Sequence, residues 1–324
     1  MRAFLTGGNG FIGSVVARKL VEQDYALRCL LRPTSNTARL DGIAFERVVG
    51  DVRDPATLES AVRGCDAVVH LAGLSAWSDI HSPLLHPVVV DGTQNLLAAV
   101  RSAGGPRTVV VSSCVAVNGT LEPSLQTENS TFLLPRRGYA YAHAKFAAES
   151  LARAAAAEGV PVVIVNPGEV YGPRDTGMVT AGNLVDFARS SPVLVCTGGT
   201  SVVYVDDVAD GILAALQHGR AGQRYILGGD NLTIYQLARL TLELLGQTNK
   251  RVLLLPNQVV TWIATIGSAF RIPLPFNPAV VPYATRFWFM DNMRARTELG
   301  LSFRSARDAL LPTLAWLQNA GYIS

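Results

Sequence analysis

A short apolar run, Arg2 to Leu5, leads directly into Thr6-Gly7-Gly8-Asn9-Gly10-Phe11-Ile12-Gly13, and this junction limits the possible folds more than any other stretch. The spacing of Gly7, Gly10 and Gly13 suits a strand that turns sharply into a helix, where backbone segments must approach closely. Such a turn leaves helix N–H groups open to an anion, the arrangement that cradles a pyrophosphate. A tight loop that needs only positive φ would also use glycine, so the neighbouring sequence has to decide between them.

That sequence alternates short apolar runs with helical patterns: Arg2 to Leu5, a helix from Gly10 to Gln23, then Leu27 to Leu31. Further strands are expected at Phe45 to Val49, Ala67 to Leu71, Thr108 to Ser112 and Val162 to Val165, with helices at Thr93 to Ala103 and Tyr139 to Glu158. Near-continuous apolar strands in βαβ order predict a parallel sheet covered on both faces, a doubly wound α/β fold of Rossmann type. After Asn166, proline and glycine become more frequent, while Val202 to Val205 and Arg224 to Leu227 look like returning strands. The expected division is a dinucleotide-binding domain over 1–166 plus about 200–228, interleaved with a smaller C-terminal substrate-binding domain over 167–199 and 229–324.

In a chain of 324 residues, 49% hydrophobic and 16% charged, a well-buried globule is expected, not a disordered one. Net charge is +3 and the basic residues are scattered, which argues against a nucleic-acid partner. Cys29, Cys65, Cys114 and Cys196 lie far apart with no CxxC pair, so neither a disulfide framework nor a metal site is expected, and a reducing cytoplasm is the simplest location. The opening apolar residues belong to the first strand, which predicts no secretory leader. Val259 to Ile266 is too short to span a bilayer and is expected to be a buried helix, so no integral membrane segment is predicted.

A second signature, Tyr141-Ala-His-Ala-Lys145, places a phenol and an ammonium one helical turn apart. An ordinary alanine-rich surface helix would also show that spacing, but together with the glycine turn it points to nicotinamide chemistry. A phenol ionises near ~10, too high for easy proton exchange at neutral pH, and the Lys145 charge would favour the phenolate. Tyr139 has no lysine at the same offset, and His143 points away from Tyr141 and reads as structural.

With these motifs in place, the chain resembles the extended short-chain dehydrogenase/reductase family, which includes sugar-nucleotide epimerases, dihydroflavonol reductases and 3β-hydroxysteroid dehydrogenases. The resemblance also rests on Gly50-Asp51-Val52, His70-Leu71-Ala72, Asp91 to Asn95, Ser112-Ser113-Cys114, Asn166 to Pro173 and Glu298-Leu299-Gly300. It implies that Gly7, Asn9, Gly10, Phe11, Ile12 and Gly13 hold the cofactor pyrophosphate. By the same likeness Asp51 and Val52 border the adenine, and Leu71, Ala72 and Gly73 line the central stretch. Ser112, Tyr141, Lys145 and Pro167 would then surround the nicotinamide end, with Tyr141 as acid/base and Lys145 holding the ribose.

Where an acidic residue would hold an NAD ribose, the chain reads Leu31-Arg32-Pro33-Thr34-Ser35. A guanidinium suits a 2′-phosphate, so NADP(H) is preferred with Arg32 as clamp and Ser35 as second donor, and NAD(H) is the alternative. The family's catalytic hydroxyl aligns with Cys114, a weak donor. Three roles are open to this thiol: weaker donor, shape-filling neighbour, or mark of an impaired site. Ser113 could substitute if the strand ended early, although strand alternation would point it to the opposite side.

No Asp-Glu pair follows Ser113, which argues against a dehydratase. Leu74 to Val90 and Trp262 to Phe289 are expected to form a mostly apolar pocket, with Arg174, Arg271 and Arg286 as the few candidates for binding a diphosphate and Arg136 and Arg137 at its entrance. The expected activity is hydride transfer between NADP(H) and a carbonyl or hydroxyl of a bulky, largely apolar small-molecule substrate. The alternatives are an NDP-sugar epimerase with transient hydride transfer and a non-catalytic NADP(H)-binding sensor. Similar proteins often form homodimers through two long helices, here Leu84 to Ala103 and Tyr139 to Glu158.

Overall fold

The computed structural model describes residues 1–75, 77, 79–270 and 278–324. Its strands are β1 (Arg2–Thr6), β2 (Ala26–Leu31), β3 (Glu46–Val49), β4 (Ala67–His70), β5 (Arg107–Val111), β6 (Val162–Pro167), β7 (Glu169–Tyr171), β8 (Val193–Cys196), β9 (Gly199–Tyr204), β10 (Arg224–Leu227), β11 (Asp230–Thr233) and β12 (Val252–Leu255). The helices are α1 (Phe11–Glu22), α2 (Pro55–Val62), α3 (Gly92–Ser102), α4 (Ala140–Ala157), α5 (Ala181–Arg189), α6 (Val205–His218), α7 (Ile234–Leu244), α8 (Asn257–Phe270), α9 (Val281–Ala284), α10 (Met293–Leu299) and α11 (Ala306–Asn319).

Seven strands make one parallel sheet in the order β3-β2-β1-β4-β5-β6-β10. Apart from the exposed edge strand β3, its strands are buried on both faces, and residue alternation sends side chains into two cores. Phe4, Val68, Val110 and Ile164 pack with Leu58, Leu96 and Val100 beneath α2, α3 and α4. Their neighbours Leu5, Val69, Val111 and Val165 pack with Val16, Leu20, Ile212 and Leu216 beneath α1 and α6. The chain reverses winding direction at β1 and β4, and in sheets of this kind ligands bind beyond the carboxyl ends of the strands at that point.

A three-stranded sheet, β11-β9-β7, and a pair, β12-β8, build the smaller unit. Tyr171, Leu184, Val202, Leu237, Leu310 and Leu314 fill its core. The predicted returning strand near Val202 is therefore β9 in the small sheet, and the return to the large sheet begins with α6 instead of near residue 200. A π-helical turn, Pro87–Asp91, lies within the expected long helix, which begins at Leu85 and runs without a break into α3. The helix over Val259 to Ile266 lies at the surface and is not buried: Val260 and Ala264 face inward while Trp262 is 67% exposed. Among the described residues no helix is long and apolar enough to cross a membrane, and no group of three metal-ligating side chains assembles.

Candidate active site

The turn between β1 and α1 depends on its glycines for different reasons. Gly7 has φ +72°, and a Cβ there would lie 2.8 Å from the Ala72 nitrogen. At Gly13 a Cβ would lie 2.0 Å from the Gly7 carbonyl oxygen, so the helix can close on the strand only if this position is glycine. The Gly10 N–H bonds the Gly7 carbonyl at 3.0 Å and caps α1 without any side-chain partner, so first-turn N–H groups remain for an anion. Asn9 donates to the Asn36 carbonyl (3.2 Å), and Phe11 and Ile12 pack on the core. Leu71 and Ala72 are tied to Thr6, by the Leu71 N–H to the Thr6 carbonyl (3.1 Å) and the Ala72 N–H to the Thr6 hydroxyl (3.1 Å).

Directly below lies a buried polar chain whose direction can be assigned. Thr93 donates to the Val89 carbonyl (2.6 Å), so its oxygen accepts from His70 Nε2 (3.0 Å). His70 Nδ1 then accepts from the Thr6 hydroxyl at 2.7 Å. Burial first, and then the charge of Lys145, push the His70 pKa down to about 3, so the imidazole is neutral.

Lys145 is also buried; its Nζ donates to the Val111 carbonyl (3.2 Å) and lies 6.0 Å from the Tyr141 ring centroid. A Cβ at Gly73 would stand 3.6 Å from that Nζ, so Gly73 and Lys145 face each other. Burial lowers the Lys145 pKa to about 8. The same dry environment pushes the Tyr141 phenol above its ordinary value, with the Ser113 hydroxyl acting in the opposite direction by hydrogen bonding. The expected lowering of the phenol by Lys145 is therefore outweighed here by desolvation.

The condition under which Ser113 could stand in for Cys114, an early end of the strand, is the one found. Strand β5 ends at Val111, so the two-residue alternation no longer applies two positions later. Ser113 caps a 3-10 turn over Cys114–Ala116, its hydroxyl accepting from the Val115 N–H at 3.4 Å, and it stands close enough to pull down both the Tyr141 phenol and the Cys114 thiol. Cys114 is 7% exposed, packed with Val117, Tyr283 and Trp288, and burial pushes its thiol up to about 12. Ser112 is buried with no protein partner for its hydroxyl. Asn166 bonds the Ser113 carbonyl (2.9 Å) and the buried Glu149 carboxylate (2.8 Å), and Glu149 in turn pairs with Arg224 at 2.9 Å. This support for the Ser113 backbone was not foreseen, because its members are scattered in sequence. Pro167, the last residue of β6, is buried at the same end of the sheet.

At the other end Arg32 is exposed, and its N–H bonds the Ser35 oxygen at 3.0 Å. That hydroxyl accepts through a lone pair, which leaves its proton for another acceptor. Arg53 holds both oxygens of Asp51 (2.9 Å each), and these bonds, with Arg32 nearby, keep that carboxyl below its usual range. Val52 is buried and meets Gly92 at the start of α3. Arg39, to which no role was assigned, bonds Asn9, Arg174 and Thr176.

On the substrate side, Trp77 stacks edge-on against Tyr283 (5.4 Å) and donates to the Val179 carbonyl (2.9 Å). Arg286 is engaged by Tyr139 (2.6 Å) and Gly119, Arg174 by Ala38, and Arg271 lies outside the described residues. His81, His86 and Arg136 do not reach this pocket and instead line a groove of about 1110 Å3 on the outer side of α4. His143 bonds the Leu134 and Pro135 carbonyls, a structural role.

A glycine turn whose added Cβ atoms would strike backbone, an uncapped helix start and a buried Ser112 hydroxyl without a partner fit a dinucleotide. Fold and site together define an NAD(P)-dependent oxidoreductase of the short-chain type. The chain belongs to the NAD dependent epimerase/dehydratase family, whose model matches residues 3–228. It is 31% identical to sterol demethylase protein B of Methylococcus capsulatus, covering 100% of both chains. It is 30% identical to the 4-hydroxy-2-methyl-3-oxo-4-farnesyl-3,4-dihydroquinoline-1-oxide ketoreductase of Stigmatella aurantiaca, covering 99% of this chain and 98% of that one. Among solved structures, a nucleoside-diphosphate-sugar epimerase from Pseudomonas aeruginosa superposes with TM-score 0.82 at 28% identity, over 100% of this chain and 99% of that one.

Proposed function

We propose that the protein is an NADP(H)-dependent ketoreductase acting on a carbonyl of a bulky, largely apolar substrate. The observation that carries this is the pairing of the Tyr141 phenol with the buried Lys145, one turn along the same helix and with its Nζ 6.0 Å from the ring centroid, beside the Ser113 turn. The bound nicotinamide supplies or receives the hydride. Tyr141 gives its proton to the developing alkoxide oxygen, and Ser113 polarises that oxygen by a second hydrogen bond. Lys145 bears the positive charge that steadies the phenol as it loses its proton, and Cys114 fills space beside them. Gly7, Gly10 and Gly13 accept the pyrophosphate, while Arg32 and Ser35 receive the 2′-phosphate that favours NADP(H) over NAD(H). Arg39 adds a second cation beside Asn9.

Engagement of Arg286 and Arg174 by protein groups speaks against a diphosphate site and hence against the epimerase alternative. The named activity of the Stigmatella relative, a ketoreductase, supports the same assignment. The test is NADPH oxidation with a panel of lipophilic ketones and nucleotide-linked keto-sugars, with Tyr141→Phe beside the parent. Turnover of a ketone that the variant loses by about 10²-fold or more is expected. Turnover of the sugars without net cofactor consumption would sink the reductase assignment. The outer groove between the π-turn and α4 supports a homodimer: its apolar lining includes Leu85, Val90, Phe146 and Leu151. Phe146→Glu is expected to halve the mass measured by light scattering.

A further inference from the structure

The carboxyl edge of the large sheet carries one more polar side chain. Glu169 stands two residues beyond Pro167, the end of β6, while Ser113 and Cys114 stand just beyond the adjacent β5. A Cβ at the intervening Gly168 would lie 2.4 Å from the Ser201 carbonyl oxygen, so the chain crosses tightly there and fixes where Glu169 emerges. One oxygen of Glu169 accepts from the Tyr171 hydroxyl (2.8 Å) and from Asn183 Nδ2 (2.8 Å), and the Thr200 hydroxyl also bonds the carboxyl. Tyr171 is fully buried whereas Glu169 keeps partial exposure, so the carboxyl looks outward from a rigid backing. Cys114 and Tyr141 pack in one cluster beyond β5, the strand next to β6, and the charge of Glu169 bears on that thiol. No cation is paired with Glu169 among the described residues, and burial raises its pKa against the pull of three donors.

A mere bolt between β7 and α5 would be served by an amide without the cost of desolvating an acid. We propose that Glu169, backed by Tyr171, Asn183 and Thr200, receives a hydroxyl group on the part of the substrate that extends past Cys114. A hydroxyl suits this carboxyl in either state, donating to a carboxylate or accepting from a neutral acid, whereas an ammonium suits only the former. The apolar cluster around Cys114 and Tyr141, which includes Trp77, Tyr283 and Trp288, would take the carbon skeleton.

This subsite rests on the reductase reading, and the experiment separates the two. Bulky ketones are paired with counterparts that carry a hydroxyl, or an amine, at successive distances from the carbonyl. For each pair kcat/KM with NADPH is measured, together with calorimetric binding to the enzyme–NADPH complex. In at least one pair the parent is expected to prefer the hydroxylated member about tenfold, the effect of one well-made hydrogen bond to a carboxyl. Glu169→Ala abolishes that preference through KM, lowering kcat/KM for the hydroxylated member about tenfold more than for the plain ketone, and Glu169→Gln keeps part of it. Binding that prefers the hydroxyl in a Glu169-dependent way, without turnover, would overturn the reductase assignment and keep the subsite. Equal losses on both members, a fall in melting temperature alone, no hydroxyl preference in the parent, or a preference for the amine would overturn the subsite.

Discussion

Substituting Gly13 with alanine tests whether the first turn is as tightly fitted as it looks. The new Cβ would lie 2.0 Å from the Gly7 carbonyl oxygen, 2.8 Å from its carbon and 3.0 Å from the Gly8 Cα. All three are backbone atoms, and Gly7 is itself pressed against Leu71 and Ala72, so the strain has no flexible side chain to absorb it. Restoring an ordinary contact of 3.4 Å from 2.0 Å requires α1 to retreat by about 1.4 Å, and overpacking of this kind costs about 1–3 kcal/mol. Alanine regains about 1 kcal/mol of helix propensity, so the net loss expected is about 0–2 kcal/mol, a fall of at most a few degrees in Tm. The larger effect falls on the cofactor, because the N–H groups that meet the pyrophosphate move with the helix. NADPH affinity is expected to drop more than about tenfold, read by fluorescence titration and by a smaller NADPH-induced rise in Tm. Gly182→Ala, where the nearest atom to an added Cβ is at 3.5 Å, should gain stability and serves as the control. A Gly13→Ala protein with parental Tm and parental NADPH affinity would refute the reasoning.

Ser113→Ala should lower kcat about 10²-fold, while Cys114→Ala stays within about threefold and the parent thiol resists maleimide at pH 8; the opposite ranking would make Cys114 the donor. Lys145 titrates near 8 in the fold against 10.5 when solvated, so between these values the unfolded chain binds more protons and stability rises with pH. The cost, up to about 3 kcal/mol, is fully present below pH 8 and relieved by 10.5, and Lys145→Met should flatten that slope in denaturant titrations. Thr93→Val removes the only acceptor of the His70 Nε2–H among the described residues and should cost about 1–3 kcal/mol with little change in kcat; unchanged stability would contradict the assigned direction of that chain.

The large sheet was legible because each of its strands is a short apolar run between turn signals, and Arg224–Leu227 matched to the residue. The elements after Asn166 were harder to read. Strand β11 has the sequence Asp-Asn-Leu-Thr and no apolar run, and the sequence of β9 does not reveal which sheet it joins. The phenol–ammonium pair could be read from helix periodicity. The direction of Ser113 could not, since it follows from where β5 stops, and hydrogen bonding decides that point. Asn166, Glu149 and Arg224 form one buried network from three distant segments, and nothing local marks them as partners. Glu169 was visible inside its motif, but its role depends on Tyr171, Asn183 and Thr200 converging on it in space.

The late arrival of β10 at the edge of the large sheet has a consequence for biosynthesis. Strand β6 pairs with β5 on one side, but its other edge stays open until Arg224 to Leu227 have left the ribosome. During that interval β7, α5, β8, β9 and α6 emerge, and an apolar strand edge is exposed for the time their synthesis takes. A nascent chain halted before β10 should therefore attract chaperones, whereas one halted just after it should already resist protease across the cofactor half.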